Sequence, residues 1–464
     1  MENISRRDFL KRSATGAAVA AAAAVGCAPK GSVAAQAESG EALPQGLVTC
    51  RKDPKTGQDV SILAYGCMRW PMTRDDDGNE IIDQEQVNEL IDCAMHHGVN
   101  YYDTAPVYLQ GKSERASALA LSRYPRESYF LATKLSNFNK STHNLEFARE
   151  MLSNSLKNLM TDYIDYYLLH SISGGREYFE NRFVKNGILD YCIEQRNRGV
   201  IRHLGFSFHG NRPDLQQMMD YHEEYKARTG ENLFDFVMIQ LNWSDWHYAR
   251  GKDANASDLY AILERHDLPV MVMEPLLGGR LSKVPDHIAR KFKEMEPGKS
   301  VASWAFRFAA SHRNVQTVLS GMTYMEHLQD NLRTYTPLVE LNDSEKDFLD
   351  SMAALMHRYP TVNCTDCKYC MPCPYGLDIP AIFEHYNKCV NEGFVSEDSQ
   401  DENYRRNRRA FLVSYDRAIP KLRQADRCIH CRKCVTESHC PQRINIPGEM
   451  MQISRYIENL KRNV

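Results

Sequence analysis

Val99-Asn100-Tyr101-Tyr102-Asp103-Thr104-Ala105 is a short aromatic and β-branched run that closes on a carboxylate. Two further runs end in the same manner. Tyr129-Phe130-Leu131-Ala132-Thr133-Lys134 closes on an ammonium, and Ile164-Asp165-Tyr166-Tyr167-Leu168-Leu169-His170 closes on an imidazole. Strand propensity accounts for the apolar parts but not for the ionisable ends. Working outward, five more runs of this kind occupy 62–66, 203–207, 236–241, 270–273 and 317–319. Between them lie stretches such as 86–95, 145–159 and 259–265, with apolar residues at i, i+3 and i+4. Strands alternating with helices imply a parallel sheet, and eight such units fit a closed (β/α)₈ TIM barrel. A doubly wound dinucleotide fold is the rival, but no G-x-G-x-x-G opens a helix after the first run. In a barrel, chemistry sits at the C-terminal ends of the strands, where Asp103, Lys134 and His170 fall.

The bulk properties of the 464 residues are those of an ordinary globular protein: 43% hydrophobic and 25% charged. A formal net charge of -3 carries no basic excess, so nucleic acid is not an expected partner. The cysteines are the exception. There are 14, and nine of them follow residue 360, which favours metal ligation over a disulfide framework.

Residues 100–114, with Asp103-Thr104-Ala105, Tyr108 and Ser113-Glu114, resemble the signature of the aldo/keto reductase family. The resemblance extends over roughly 47–335 and implies a catalytic tetrad of Asp103, Tyr108, Lys134 and His170. It departs beside the tyrosine, where Leu109 replaces the usual glycine and Gly111 follows two positions later. The chemistry suits these residue types. A carbonyl becoming an alkoxide needs a proton, and a phenol with a pKa of about 10 needs help to give one. An ammonium at Lys134 would lower that pKa, with Asp103 holding the ammonium and His170 orienting the carbonyl oxygen. Taken singly, Asp103 and Lys134 also read as a structural ion pair and His170 as a core histidine.

The same resemblance implies an NAD(P) site on the barrel mouth. Ser207 in Gly205-Phe206-Ser207-Phe208-His209 would face the carboxamide, with Phe208 in place of the usual asparagine. Gln240 and Asn242 would hold the other side of that amide, and Met273 stands where an aromatic residue usually stacks on the nicotinamide. Thr323, Asp330 and Asn331 would meet the adenosine phosphate and adenine. Met322 and His327 stand at the two positions of the cations that clamp a 2′-phosphate, so those charge-assisted contacts are missing.

The cysteines follow two matching patterns. Cys364-x2-Cys367-x2-Cys370-x2-Cys373-Pro374 is answered by Cys428-x2-Cys431-x2-Cys434-x5-Cys440-Pro441. In two-cluster ferredoxins the cysteine before proline serves the other cluster. That rule assigns Cys364, Cys367, Cys370 and Cys440 to one [4Fe–4S] cluster, and Cys428, Cys431, Cys434 and Cys373 to a second. The stretches after each Cys-Pro echo each other, ending in Asp378-Ile379-Pro380 and Asn445-Ile446-Pro447. Structural zinc is the rival reading, since C-x2-C pairs also make Cys₄ sites. The region between the motifs has helical periodicity and no clear strand, as in a mostly helical ferredoxin-type domain. Cys50, Cys67, Cys93, Cys192 and Cys389 read as packing thiols.

The chain opens Ser5-Arg6-Arg7-Asp8-Phe9-Leu10-Lys11, followed by an apolar alanine-rich run at 17–25. This resembles a twin-arginine (Tat) export signal, a route that carries folded, cofactor-loaded proteins. The run is too short to span a bilayer. Two exits stay open: a lipoprotein box at Ala24-Val25-Gly26-Cys27, which would place a lipid anchor on Cys27, and cleavage after Ala35-Gln36-Ala37. The expected organisation is a signal and linker over 1–44, a barrel over 45–355 and an iron–sulfur domain over 356–464. The expected protein is periplasmic or membrane-anchored in a bacterium, after passing the Tat translocase. Its expected activity interconverts a small carbonyl and an alcohol, with clusters passing single electrons to or from an external carrier. The competing reading is an electron-transfer protein whose barrel is a non-catalytic docking scaffold.

Overall fold

Eight parallel strands close into a barrel: β1 (Leu63–Gly66), β2 (Tyr101–Asp103), β3 (Phe130–Leu135), β4 (Ile164–Ile172), β5 (Ile201–Phe208), β6 (Phe236–Gln240), β7 (Val270–Met273) and β8 (Val315–Ser320). Each pairs with the next, and β8 returns to β1 through Val318 opposite Leu63. All eight expected runs form these strands, most within two residues of the expected ends. The structure is a computed structural model that describes residues 43–249, 254–356, 361–396, 403–437 and 440–462. The twin-arginine stretch, Cys27 and Ala37 lie outside the described residues.

Side-chain alternation decides what fills the barrel. Successive residues of a strand point to opposite faces, so every second one enters the lumen. Val60, Ala64, Tyr101, Phe130, Ala132, Tyr166, Leu168, Phe236, Met238, Met271 and Leu319 form this inner core. Gly205 belongs to it by having no side chain, because a Cβ there would lie 2.5 Å from the Phe236 carbonyl oxygen and 2.6 Å from its ring. Following the alternation upward gives the rim. Asp103 follows Tyr101, Lys134 follows Ala132, His170 follows Leu168, Gln240 follows Met238 and Met273 follows Met271. The ionisable strand ends are therefore the top layer of the same inward series.

The helices between strands pack outside. Gln84–His96 is capped by Asp83, which accepts from the Gln86 amide, and Leu145–Asn158 by Asn144, which accepts from Phe147. Such caps contribute about 1 kcal/mol each. An antiparallel hairpin, Cys50–Lys52 with Asp59–Ser61, closes the lower end. It is fastened by Tyr166 Oη donating to Asp53 at 3.0 Å and Thr317 Oγ1 donating to the Ser61 carbonyl at 2.7 Å. The sequence reading did not anticipate this hairpin.

Beyond the last barrel helix, Asp343–Met356, the described chain has helices and turns but no strand. Ile379–Asn391, Tyr404–Ala418 and Ile446–Arg462 enclose a second core of Ile382, Phe383, Phe411, Tyr415, Met450 and Ile453. Leu43–Val464 forms one compact unit, so this segment and the barrel pack together. The seam is polar. Arg69 Nη2 donates to the Thr365 carbonyl at 2.6 Å, and Arg280 donates to Asn363 Oδ1 at 3.0 Å and Thr361 Oγ1 at 2.8 Å. Arg443 Nη2 donates to the Ser173 carbonyl at 2.9 Å. These barrel residues follow β1, β7 and β4, so the helical segment sits on the mouth.

Candidate functional site

On one side of the mouth, β2, β3 and β4 bring the expected tetrad together. Lys134 Nζ donates to Asp103 Oδ1 at 2.6 Å and to the Thr104 carbonyl at 2.7 Å. Both side chains are nearly inaccessible, at 1% and 3% exposure. The ammonium stands 4.8 Å from the centroid of the Tyr108 ring. Tyr108 meets His170 edge to face, with ring centroids 6.2 Å apart. Ser136 Oγ lies 2.6 Å from His170 Nδ1. With that hydroxyl donating, the imidazole proton sits on Nε2, the tautomer that can donate to a carbonyl oxygen. The buried Arg182 guanidinium fixes the strand end from behind, donating to the His170 carbonyl at 2.8 Å and the Ser171 carbonyl at 2.9 Å.

Tyr108 opens a tight turn, Tyr108–Gly111, in which Leu109 and Gln110 take φ of 50° and 58°. The residue replacing the usual glycine thus keeps a glycine-like backbone, at a cost of roughly 1–2 kcal/mol for an L side chain. Burial, followed by the Asp103 carboxylate, holds the Tyr108 phenol well above its usual range. The lowering by Lys134 expected from the sequence is outweighed, because the ammonium is already committed to Asp103 and Thr104. Tyr108 therefore stays protonated at neutral pH but is a weaker acid than a free phenol.

Across the mouth, the residues expected to hold a nicotinamide are engaged with protein groups. Ser207 Oγ accepts from the Ser171 amide at 2.8 Å and keeps its own proton to donate. Gln240 Nε2 donates to Asp245 at 2.6 Å, while its Oε1 accepts from Gln442 Nε2 at 2.9 Å. Asn242 accepts from the Asp245 amide at 2.9 Å and donates to Asp245 Oδ2 at 3.2 Å. Met273 is partly buried at the top of the inner core. At the far edge, Asp330 accepts from Ser300 Oγ at 2.6 Å and Asn331 donates to Ser320 Oγ at 2.9 Å. Thr323 is half-buried, Met322 is buried and His327 is exposed.

Residues 63–354 match the Aldo/keto reductase family. The chain belongs to that family. It is accordingly an oxidoreductase, as several named relatives are. The uncharacterized oxidoreductase YqkF of Bacillus subtilis (strain 168) is 24% identical over 311 residues, 61% of this chain and 90% of its own. Methylglyoxal reductase YeaE of Escherichia coli (strain K12) is 26% identical over 299 residues, 63% of this chain and 91% of its own. The aldo-keto reductase AKR11C1 from Bacillus halodurans (holo form) superposes with a TM-score of 0.51 at 22% identity, covering 66% of this chain and 96% of that one. An aldo-keto reductase from Klebsiella pneumoniae in complex with NADPH gives a TM-score of 0.51 at 19% identity, covering 66% and 95%. At such identities the two structures speak for the barrel alone.

The cysteine segment lies beyond the family match, and its geometry is its own. One small cavity is walled by Cys364, Cys367, Cys370 and Cys440. A second is walled by Cys373, Cys428, Cys431 and Cys434. Ile379 and Ile446, the first residues of the two echoed helices, line both. No disulfide joins any two described cysteines. Among the described residues, no group of three or more His, Cys, Asp or Glu side chains is placed to hold a metal ion.

The first cavity adjoins the tetrad. Cys367 and Glu274 both lie within electrostatic reach of Tyr108. Between Cys367 and Cys370, Tyr369 packs on Phe138 at 6.2 Å between ring centroids, and Phe138 packs on His170 at 5.0 Å. The sequence reading passed over Tyr369 as a spacer residue of C-x2-C. An aromatic residue among the polar spacers between Cys364 and Cys370 (Thr365, Asp366, Lys368) is the one signal that marks it.

Proposed function

We propose that this chain is an exported iron–sulfur oxidoreductase that interconverts a small carbonyl and an alcohol with NAD(P)(H), with two [4Fe–4S] clusters passing single electrons. The observation that carries the cluster reading is the sorting of eight cysteines into two cavities of four. The sets are those that the Cys-Pro rule assigns, with Cys440 crossing to the first and Cys373 to the second. The donors suit the group, since thiolates around a cavity can hold the corners of a cubane. Bound there, each cluster supplies one-electron chemistry.

For the carbonyl chemistry, Ser207, Gln240 and Asn242 would hold the carboxamide of a nicotinamide, with Met273 against its ring. Bound there, the nucleotide supplies or accepts the hydride. The fit is partial as the residues stand. Ser207 has a proton to donate, but Asn242 is tied to Asp245 and Gln240 to Gln442, so Gln442 competes with the carboxamide for Gln240 Oε1. His170 Nε2 orients the carbonyl oxygen and Tyr108 delivers its phenolic proton to that oxygen. Phe138 and Tyr369 restrict the space beside His170, which favours a small substrate. The missing cations at Met322 and His327 leave NADP without its usual clamp, so NAD is an equal candidate.

Export through the Tat translocase, with Cys27 lipidated or cleavage after Ala37, would deliver the protein loaded to the periplasm or its membrane surface. Anaerobic purification with iron, sulfide and nucleotide measured on one sample tests the whole reading. Roughly eight iron and eight sulfide per chain are expected for two such clusters. Iron and sulfide at background levels would refute it.

A further inference from the structure

The two cysteine cavities differ in their surroundings. Cys367 of the first lies within electrostatic reach of Tyr108, whereas the second is walled by Cys431, Ile429 and Arg432, all exposed. Cys431 is the only one of the eight cysteines classed as exposed. The chain around it has a composition unlike the rest of the protein. Residues 403–443 carry eleven Lys and Arg against three Asp and Glu, in a chain whose net charge is -3.

The basic residues that precede and interleave with Cys428, Cys431 and Cys434 in the sequence are Lys421, Arg423, Arg427, Arg432 and Lys433, all exposed. Arg432 itself lines the cavity. Only Lys433 is in an ion pair among the described residues, with Glu437 at 3.9 Å. The other four are in no ion pair with a carboxylate among the described residues. Among them stand large apolar side chains turned to solvent: Leu422 is 76% exposed, Ile429 59% and Tyr375 47%. Ile429 and Tyr375 also line the cavity. A surface with unpaired cations around an exposed apolar centre has the composition of a recognition site and not of a solvated face.

We propose that this face docks an acidic one-electron carrier protein, and that the second cysteine set is the port through which electrons enter or leave. The proposal rests on the cluster reading above and names the partner's chemistry. Complementary charge steers the encounter, and the apolar centre excludes water once the partner is seated. Each encounter moves one electron: the carrier is oxidised by one, the protein is reduced by one, and no bond or proton moves with it. In the other direction the signs reverse. Two such transfers match one hydride equivalent at the barrel, whose proton Tyr108 handles separately. An anionic lipid surface is the other partner that cations and apolar side chains could meet. The position of Cys431 in this face favours the carrier, because a lipid has no use for a redox ligand at the contact.

The test is the charge-reversed variant K421E/R423E/R427E, made in the full chain and purified anaerobically. Reduced flavodoxin is the acidic donor, and reduced methyl viologen is a small donor that needs no docking surface. Reduction is followed in stopped flow by bleaching of the visible iron–sulfur absorption. Reduction of the variant by flavodoxin should slow by about tenfold or more at low salt, with the gap closing as salt rises. The methyl viologen rate, iron content and thermal midpoint should stay unchanged. Binding of oxidised flavodoxin, read by fluorescence anisotropy, should weaken in parallel and does not depend on electron transfer. Equal flavodoxin rates and equal binding for both proteins would overturn the docking face. So would loss of binding to phosphatidylglycerol vesicles in the variant with flavodoxin rates intact. A wild-type chain without iron–sulfur absorption refutes the cluster reading instead, and the anisotropy arm still decides the docking face.

Discussion

The two sides of the barrel mouth differ in what completes them. The tetrad side is finished within the barrel: Asp103, Lys134, Ser136, His170 and Arg182 bond to one another or to nearby backbone. The side proposed for a nicotinamide is finished by residues far along the chain. Gln442 satisfies Gln240, Thr365 lies against Gly278, and Asn363 and Thr361 engage Arg280. The hydrogen bonds of the tetrad are thus made within the barrel, with the cysteine segment reaching that side through Tyr369 on Phe138 and Arg443 on Ser173. Gln240 on the other side, by contrast, bonds directly to the cysteine segment. Each prediction that follows strikes one side and should leave the other intact.

The largest effect belongs to Tyr108. Tyr108→Phe should lower carbonyl turnover by roughly 10²–10⁴-fold, the usual loss for a positioned general acid. Iron content and nucleotide binding should not change. Because burial and Asp103 hold the phenol above its usual range, wild-type carbonyl reduction should show no loss from Tyr108 deprotonation up to at least about pH 10. A decline setting in near neutrality, absent from a control for unfolding, would mean that the phenol is lowered after all.

Next comes the buried ion pair. Lys134→Met leaves Asp103 uncharged by any partner, with Oδ2 already lacking one. Denaturant titration should show a loss of about 3–5 kcal/mol. The double variant Asp103→Leu with Lys134→Met should recover much of that stability while remaining inactive. Failure to recover would show that the pair also organises β2 and β3.

The seam gives a smaller effect. Gly278 has φ of 67°, and a Cβ there would lie 2.4 Å from Thr365 Cα. Gly278→Ala should therefore cost about 1–3 kcal/mol through backbone strain and overpacking. The damage should appear first as protease sensitivity in residues 361–396, with the tetrad side still folded. His209, beside Arg443 at the same seam, is held down to about 4 by burial and then by that guanidinium. Its folded pKa lies below the ordinary histidine value of 6.5, so its contribution is present above 6.5 and lost as pH falls toward 4. His209→Gln should flatten the stability slope in that window by at most ~1.4 kcal/mol per pH unit. An unchanged slope would place the histidine in the same environment in both states.

How much of this could be read in the sequence follows the same division. The barrel was legible because each strand is a buried run whose alternation is local, and because Asp103, Lys134 and His170 break the apolar rule at the strand ends. The grouping of the eight cysteines around two cavities follows the order that their spacing and the Cys-Pro rule suggest. The seam was not. Gln240 and Gln442 are 202 residues apart and Arg280 and Asn363 83, and neither pairing follows from a periodic pattern. A polar contact between distant residues of ordinary type leaves no local mark. Tyr369 was hidden for a related reason, since its role depends on Phe138 and His170, which only the fold brings near.

The smallest effect tests the coupling itself. Gln442 Nε2 donates to the oxygen of Gln240, the atom the carboxamide nitrogen of a nicotinamide would need. Removing one such hydrogen bond is worth about 1 kcal/mol, or roughly fivefold in affinity. If Gln442 competes with the nucleotide, Gln442→Ala should tighten binding of oxidised nucleotide by about that factor, measured by titration calorimetry, with turnover at Tyr108 unaffected. Gln442 lies two residues beyond Cys440, so the same variant reports on the first cysteine set. Nucleotide binding to the wild-type protein should, in reverse, loosen the hold on residues 440–443 and raise their amide exchange. Weaker nucleotide binding in the variant would give Gln442 the opposite role. It would then be a ligand that the cysteine segment lends to the nucleotide site, and both sides of the mouth would need the same seated segment to work.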